Sequence, residues 1–114
     1  MITAIIIDDE VKGRLALRQK ITSYCPNVNI LAEAVDGIEA LAAIERHHPQ
    51  LIFLDIEMPK MNGFEMLNNI QEKKFQIIFT TAYDQYAIKA IRYAAFDYLL
   101  KPVDIEELKT AVSR

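Results

Sequence analysis

The sequence contains one cysteine among its 114 residues, and several common features are missing from it. Cys25 has no second cysteine to pair with, so no disulfide can form within the chain, which fits a reducing compartment. No apolar run approaches the length of a membrane span, and no basic region followed by an apolar stretch opens the chain. These absences predict a cytoplasmic protein without a membrane anchor. Cys25 is interpreted as a buried or half-buried small residue in preference to a reactive thiol.

An excess of positive charge is also missing. The formal net charge of −3 argues weakly against a nucleic-acid-binding surface within these residues. Low-complexity segments, linkers and internal repeats are absent, so residues 1–114 are interpreted as one ordinary domain, long enough for a filled core. The apolar fraction of 52% and the charged fraction of 25% are typical of globular proteins and not of disordered ones.

Short apolar runs alternate with segments of helical spacing. Five runs are apolar on both faces, as expected of strands inside a parallel sheet: 5–7, 28–31, 51–54, 77–79 and 98–100. Between them, residues recur at helical intervals: Leu17, Ile21 and Tyr24; Leu41, Ile44 and His48; Gly63, Leu67 and Ile70; Ala87, Ile91 and Ala94; Ile105, Leu108 and Val112. Tyr24 is expected in the core, and Asp104 with Glu107 predicts a capping box. Five β-α units in succession predict an α/β fold with helices on both faces of a parallel sheet.

Polar groups follow four of the five predicted strands. They are Asp8, Asp9 and Glu10 after the first strand, Asp55 after the third, Thr80 and Thr81 after the fourth, and Lys101 after the fifth. Because ligands of open parallel sheets bind beyond the carboxyl ends of the strands, these groups are expected to meet. Two carboxylates ~4 Å apart repel by roughly 4 kcal/mol at an effective dielectric of ~20. Lys101 and a hard divalent cation such as Mg²⁺, which prefers oxygen ligands, would offset that repulsion.

An aspartate, a hydroxyl and a lysine around such an ion are the groups that phosphoryl transfer needs. The aspartate can form an acyl phosphate, while the cations and the hydroxyl stabilise the transferring oxygens. Each residue also has a purely structural interpretation, as a helix-end acid, a cap, a strand residue or a solvated charge, and only their joint placement points to a site. Pro59 and Gly63 shape the loop after Asp55, and the Lys101–Pro102 bond is open to either isomer.

The joint pattern resembles the signature of response-regulator receiver domains over essentially the whole chain. The matching residues are Asp8-Asp9, Leu54-Asp55, Met58-Pro59, Gly63, Thr81-Ala82 and Lys101-Pro102. The resemblance implies a flavodoxin-like (βα)5 doubly wound fold with a five-stranded parallel sheet in the order 2-1-3-4-5. It also implies that the chain is a signalling phosphoacceptor module and not an enzyme.

The resemblance implies a role for each matching residue. Asp55 would be the phosphoacceptor, and Thr81 and Lys101 would contact the phosphoryl oxygens. Asp8, Asp9, Asp55 and the backbone carbonyl of Glu57 would hold Mg²⁺, with Asp8 acting through water. Ala82 would be small to leave the site open, and Tyr98 would move with Thr81 when the site is filled. Pro102 is counted among the residues that shape the site on separate grounds, because a cis Lys101–Pro102 bond would set the direction of the Lys101 side chain.

A finer resemblance links residues 80–83, 86–90 and 95–102 to receivers of the LytTR (LytR/AlgR) subfamily. It implies a sensor histidine kinase as phosphoryl donor and a phosphorylation-promoted homodimer through the fourth helix, the fifth strand and the fifth helix. Control of transcription would then require a C-terminal DNA-binding domain that is absent from this chain.

Two other functions fit these residues less well. A phosphatase of the haloacid dehalogenase type would place a second aspartate two residues after the nucleophile, where this chain has Glu57. A flavodoxin-like nucleotide carrier would need a phosphate-binding loop after the first strand, where the acidic residues would repel a phosphate. His47 and His48 are adjacent in a helical segment, so they do not share a face and form a poor metal pair.

Overall fold

The computed structural model describes residues 1–114 as five strands alternating with five helices. The elements are β1 Ile2–Ile7, α1 Val11–Tyr24, β2 Val28–Ala34, α2 Gly37–His47, β3 Leu51–Leu54, α3 Gly63–Asn68, β4 Gln76–Thr81, α4 Ala87–Arg92, β5 Asp97–Leu100 and α5 Ile105–Ser113. The strands form one parallel sheet in the order β2-β1-β3-β4-β5. The predicted α/β class, the alternation and the strand order are therefore confirmed.

The sheet is covered on both faces, which explains why its central strands are mostly apolar. Side chains alternate between the faces of a strand. Ile5 therefore packs in the cluster that contains residues of α2, α3 and α4, whereas Ile6 packs in the cluster that contains residues of α1 and α5. β1, β3 and β4 are buried almost completely. The expectation that every strand is buried on both faces was wrong for β2 and β5. These two strands lie at the edges of the sheet and are only partly covered.

Two residues at helix ends lie outside the predicted core. Tyr24 is the last residue of α1 and is 47% exposed, because Cys25 turns into the core at that point in its place. His48 continues the helical spacing of Leu41 and Ile44, but it is the exposed C-cap of α2 in a left-handed conformation, with φ of 46°. In both helices, the helical spacing of the sequence continues beyond the last residue whose side chain packs against the sheet. Cys25 itself is buried, as predicted.

The helical spacing noted in α4 does not mark the buried face of this helix. Ala87, Ile91 and Ala94 are not buried, and Ala90 is the buried residue of this helix. Tyr86 and Tyr93 flank Ala90, and their rings pack on Phe64 of α3. These large rings decide which side of the short helix turns inward, and the aliphatic side chains on its other side remain in contact with solvent.

Side-chain caps fix the first turns of three of the five helices, α2, α3 and α5. Asp36 caps α2 through the N–H of Glu39, and Asp104 caps α5 through the N–H of Glu107. Asn62 and Glu65 form a complete capping box at the start of α3, which the sequence interpretation did not identify. No helix in the structure has both the length and the apolar character needed to cross a membrane.

Candidate functional site

Two buried carboxylates and one ammonium meet at the carboxyl edge of the sheet. The Lys101 Nζ lies 2.7 Å from Oδ2 of Asp8 and 3.3 Å from Oδ2 of Asp55. Asp8 is 2% exposed and Asp55 is 4% exposed, so both carboxylates lie below the surface. The structure thus brings together three of the residues that the strand-end pattern predicted.

Backbone hydrogen bonds that continue the sheet beyond its strands hold these three residues. The N–H of Asp55 donates to the carbonyl of Ile7 at 2.9 Å, and the N–H of Lys101 donates to the carbonyl of Thr81 at 2.8 Å. The N–H of Asp8 donates to the carbonyl of Ala34 at 3.0 Å. Because each of the three residues directly follows a paired strand, its side chain is oriented by the sheet and not by a loose loop.

The electrostatics of this group leave negative charge uncompensated. Burial is the main cause that raises the pKa of Asp55 to about 6, and the charge of Asp8 acts in the same direction, although Lys101 opposes both effects. Burial by itself would lower the pKa of Lys101, but the hydrogen bond to Asp8 and the charges of both carboxylates outweigh it and raise that pKa. One ammonium therefore faces two carboxylates, and a further cation at this position would be stabilised.

Oxygen ligands for a cation lie beside this group. Carboxylate oxygens of Asp8, Asp9 and Glu10 lie within 4.8 Å of one another. Asp55 is not part of that cluster and is joined to it through Lys101. Asp9 is partly buried and Glu10 is exposed. An oxygen-only donor set with an excess of negative charge fits Mg²⁺ in preference to softer metals.

Asp8 is held by contacts that the sequence interpretation missed. The N–H of Glu10 donates to Oδ1 of Asp8 at 2.9 Å, and Arg14 donates to the Asp8 carbonyl at 2.8 Å while it pairs with Glu33 of β2. Gly13 leaves room for the carboxylate, since a Cβ there would overlap Oδ2 of Asp8. A glycine inside a helical segment was the available signal for this close approach.

The residues expected to shape the site lie around Asp55 and Lys101. A Cβ on Gly63 would come within 2.7 Å of the Asp55 carbonyl oxygen, which confirms a close approach. The φ of Gly63 is not positive, so it needs no special backbone angle. The Lys101–Pro102 bond is cis. Pro59 lies in the exposed loop before α3, and Ala82 is exposed beside Thr81. That Pro59, Gly63, Ala82 and Pro102 shape the site stays a prediction.

Thr81 and Tyr98 both contact the loop between β4 and α4. Thr81 is fully buried, and its Oγ1 accepts a hydrogen bond from the N–H of Tyr83 at 3.3 Å. The hydroxyl of Tyr98 donates to the carbonyl of Tyr83, and its ring lies 6.1 Å from that of Phe79. The two residues are therefore joined through Tyr83 in this structure. Their proposed joint movement stays a prediction.

A contact between the loop after β3 and α4 was not predicted. The hydroxyl of Tyr86, the N-cap residue of α4, donates to Oε1 of Glu57 at 2.8 Å. The sequence interpretation identified no partner for Tyr86. Twenty-nine residues separate the two in the chain, so no local pattern could have paired them.

Comparison with known proteins gives a consistent result. The family model described as "Response regulator receiver domain" matches residues 4–113. An uncharacterized response regulatory protein of Yersinia pestis is 42% identical over the whole of this chain, which covers 48% of that protein. The transcriptional regulatory protein BtsR of Escherichia coli K12 is 39% identical over the whole chain, again covering 48% of the relative. The chain spans about half the length of these relatives.

Solved structures agree with the sequence comparisons. The REC domain of AraT, a response regulator from Geobacillus stearothermophilus, has a TM-score of 0.85 and 37% identity, with 98% of this chain and 90% of that one covered. The response regulator TrrA from Thermotoga maritima, solved in complex with Mg²⁺ and BeF, has a TM-score of 0.85 and 33% identity, with 99% and 97% covered. Receiver domains are signalling phosphoacceptor modules and not enzymes, as the sequence interpretation expected. This chain belongs to the family of response regulator receiver domains of two-component signalling.

Proposed function

We propose that Asp55 accepts a phosphoryl group from a sensor histidine kinase. The observation that carries this proposal is the buried Asp55 carboxylate, bound to Lys101 and next to the acidic cluster of Asp8, Asp9 and Glu10. A carboxylate paired with an ammonium at the carboxyl edge of the sheet is held in position for attack on a phosphoryl group.

In the proposed reaction, a carboxylate oxygen of Asp55 forms a bond to phosphorus as the bond from phosphorus to the donor imidazole nitrogen breaks. The electron pair of the broken bond stays with the imidazole. Lys101 neutralises charge on the transferred oxygens, and the Thr81 hydroxyl donates a hydrogen bond to one of them. Asp8, Asp9, Asp55 and the backbone carbonyl of Glu57 would hold Mg²⁺, which supplies further charge neutralisation when bound.

Chemical mapping of the phosphorylated residue tests this proposal. The chain is incubated with Mg²⁺ and a small phosphoryl donor, and the intact mass should rise by one phosphoryl group. Borohydride reduction should then convert the modified aspartate to homoserine, and peptide mass spectrometry should locate it at position 55. Homoserine at position 8 or 9, or no mass gain with Mg²⁺ present, would refute the assignment.

Metal binding is expected to depend on Asp9 much more than on Glu10. Asp9 is partly buried beside Asp8, whereas Glu10 is exposed and its charge is better screened by solvent. We expect Asp9→Asn to weaken Mg²⁺ binding by about tenfold or more, and Glu10→Gln to weaken it by less than about threefold. Calorimetric titration of both variants measures this, and equal affinities for Asp9→Asn and the unaltered chain would contradict it.

We further propose that phosphorylation promotes a symmetric dimer through α4, β5 and α5. The outer side of α4 supports this, because Ile88 is 75% exposed and Ile91 is 74% exposed. Lys89 and Arg92 on α4, with Asp97 on β5 and Glu106 on α5, supply charges of both signs on the same elements. A self-complementary patch of this kind suits a two-fold interface.

The dimer is expected to depend on the apolar side of α4. Beryllofluoride with Mg²⁺, a mimic of the acyl phosphate, should increase dimerisation of the unaltered chain, and Ile91→Asp should reduce it by at least about tenfold because a charge would be buried. Sedimentation velocity measures both. NMR shifts that stay around Asp55 and never reach Tyr98 or Lys89 would argue against coupling to this surface.

We propose that residues 1–114 are the receiver part of a longer transcriptional regulator. The finer resemblance to the LytTR subfamily and the relatives of twice this length support a C-terminal DNA-binding domain. The net charge of −3 supports DNA binding by that domain and not by this one. The buried free thiol of Cys25 fits the cytoplasm.

A further inference from the structure

The Glu57 side chain is held by α4 and not by its own loop. Its Oε1 accepts the hydroxyl hydrogen bond of Tyr86 at 2.8 Å. The Tyr86 ring is itself fixed, because it packs edge-on to Phe64 at 6.1 Å and to Tyr83 at 6.3 Å between centroids. The exposed carboxylate therefore has a defined position, although Glu57 lies in a loop.

Glu57 is close enough to Asp55 to influence a phosphoryl group there. Two residues of extended chain span at most about 7 Å, and a glutamate side chain reaches several ångströms further. A carboxylate released toward Asp55 could take a proton from a water molecule that attacks phosphorus. The oxygen of that water would bond to phosphorus, the bond from phosphorus to Asp55 would break, and inorganic phosphate would leave with the Asp55 carboxylate regenerated.

We propose that Tyr86 is a positioning residue that holds the Glu57 carboxylate away from the phosphoryl group and thereby lengthens the lifetime of the phosphorylated state. This inference depends on the proposed phosphorylation of Asp55. Tyr86 is the N-cap residue of α4, so a partner that moves α4 would change the same lifetime. By thermodynamic linkage, any contact that stabilises the Tyr86–Glu57 hydrogen bond also keeps the Glu57 carboxylate away from the phosphoryl group.

A double-mutant cycle separates this role from a general effect on structure. Tyr86→Phe removes only the hydroxyl, and we expect it to speed loss of the phosphoryl group by about tenfold, the lower end of the effect of losing one hydrogen bond to a charged group. In the Glu57→Gln background, which lacks a proton acceptor, Tyr86→Phe should change the rate by less than about 1.5-fold. The rate is followed by intact mass after the donor is removed. Tyr93→Phe is the matched control, because Tyr93 is the C-cap residue of α4 and its hydroxyl donates to Asn68 of α3 and not to Glu57; this variant should leave the rate unchanged.

Acceleration by Tyr86→Phe that persists in the Glu57→Gln background, or no acceleration in either, would overturn the proposal. A separate measurement distinguishes failure of the Tyr86–Glu57 proposal from failure of the proposed phosphorylation of Asp55. In the unphosphorylated chain, Tyr86→Phe should shift the side-chain carboxyl ¹³C resonance of Glu57, and Tyr93→Phe should not. An unchanged resonance would show that the hydrogen bond does not hold Glu57, whereas absence of any mass gain in the unaltered chain would refute the proposed function alone.

Discussion

Asp55→Asn is expected to abolish phosphorylation and, in the same protein, to stabilise the unphosphorylated fold. The amide of asparagine cannot attack phosphorus as a carboxylate does, so the mass gain should disappear. The stabilisation follows from burial, which raises the pKa of Asp55 to about 6. An ionised Asp55 is therefore less favourable in the folded state than in the unfolded chain, and asparagine removes that charge.

The sign of the pH dependence follows from the same shift. Between the unfolded value near 4 and the folded value of about 6, the folded state binds more protons than the unfolded state, so stability falls as pH rises through this interval. At pH 7.5 without divalent cations, Asp55→Asn should raise the free energy of unfolding by about 2 kcal/mol. The gain should shrink as pH is lowered to 5, because part of the wild-type carboxyl is then protonated.

Urea unfolding at the two pH values, in the presence of a chelator, measures this gain. Asp104→Asn is the control, since it replaces an exposed N-cap carboxylate with a side chain that caps equally well, and it should change stability little at either pH. A variant at position 55 that is less stable than the unaltered chain at pH 7.5 would mean that Lys101 compensates Asp55 fully.

Lys101→Met is expected to destabilise the fold as strongly as any single change at the site. Lys101 is the one cationic side chain that pairs with the buried carboxylates of Asp8 and Asp55. Removing one partner of a buried ion pair costs about 3–5 kcal/mol, and the partial exposure of Lys101 brings the expected loss to about 2–3 kcal/mol at pH 7.5. The raised pKa of Lys101 keeps it protonated at that pH.

Mg²⁺ tests whether Lys101 stabilises the fold by neutralising the carboxylates of Asp8 and Asp55. Millimolar Mg²⁺ should restore much of the stability lost in Lys101→Met, because a second cation can then neutralise the same carboxylates. Urea unfolding with Mg²⁺ and with a chelator compares the two conditions. Lys109→Met is the matched control, because Lys109 pairs only with the exposed Glu106 and should contribute less than about 1 kcal/mol. Equal losses for the two variants would rule out a special role for Lys101.

Lys101→Arg tests whether the response to phosphorylation needs only a positive charge at position 101 or the compact ammonium group of lysine. Lys101→Arg keeps the positive charge, so the chain should remain folded, but a planar guanidinium does not replace a compact ammonium. We expect phosphorylation to occur without the increase in dimerisation, measured by sedimentation. A normal dimerisation response in this variant would contradict the requirement for lysine.

The sequence by itself determined the sheet and the residues at its carboxyl edge. Both depend on local signals, because a buried strand requires a short apolar run and the residue after it must leave the sheet at that edge. Asp8, Asp55 and Lys101 could therefore be placed together without coordinates. The strand order and the individual roles came from resemblance to a known family and not from the pattern.

Only the tertiary structure decided which faces are covered and which distant side chains meet. α4 has six residues, too few for periodicity to choose a face, and the packing of Tyr86 and Tyr93 on Phe64 chose it. The pairing of Tyr86 with Glu57 and the raised pKa of Asp55 likewise depend on elements far apart in the chain. A local pattern records what each segment can bury, whereas burial and charge at a site depend on what the rest of the fold places against it.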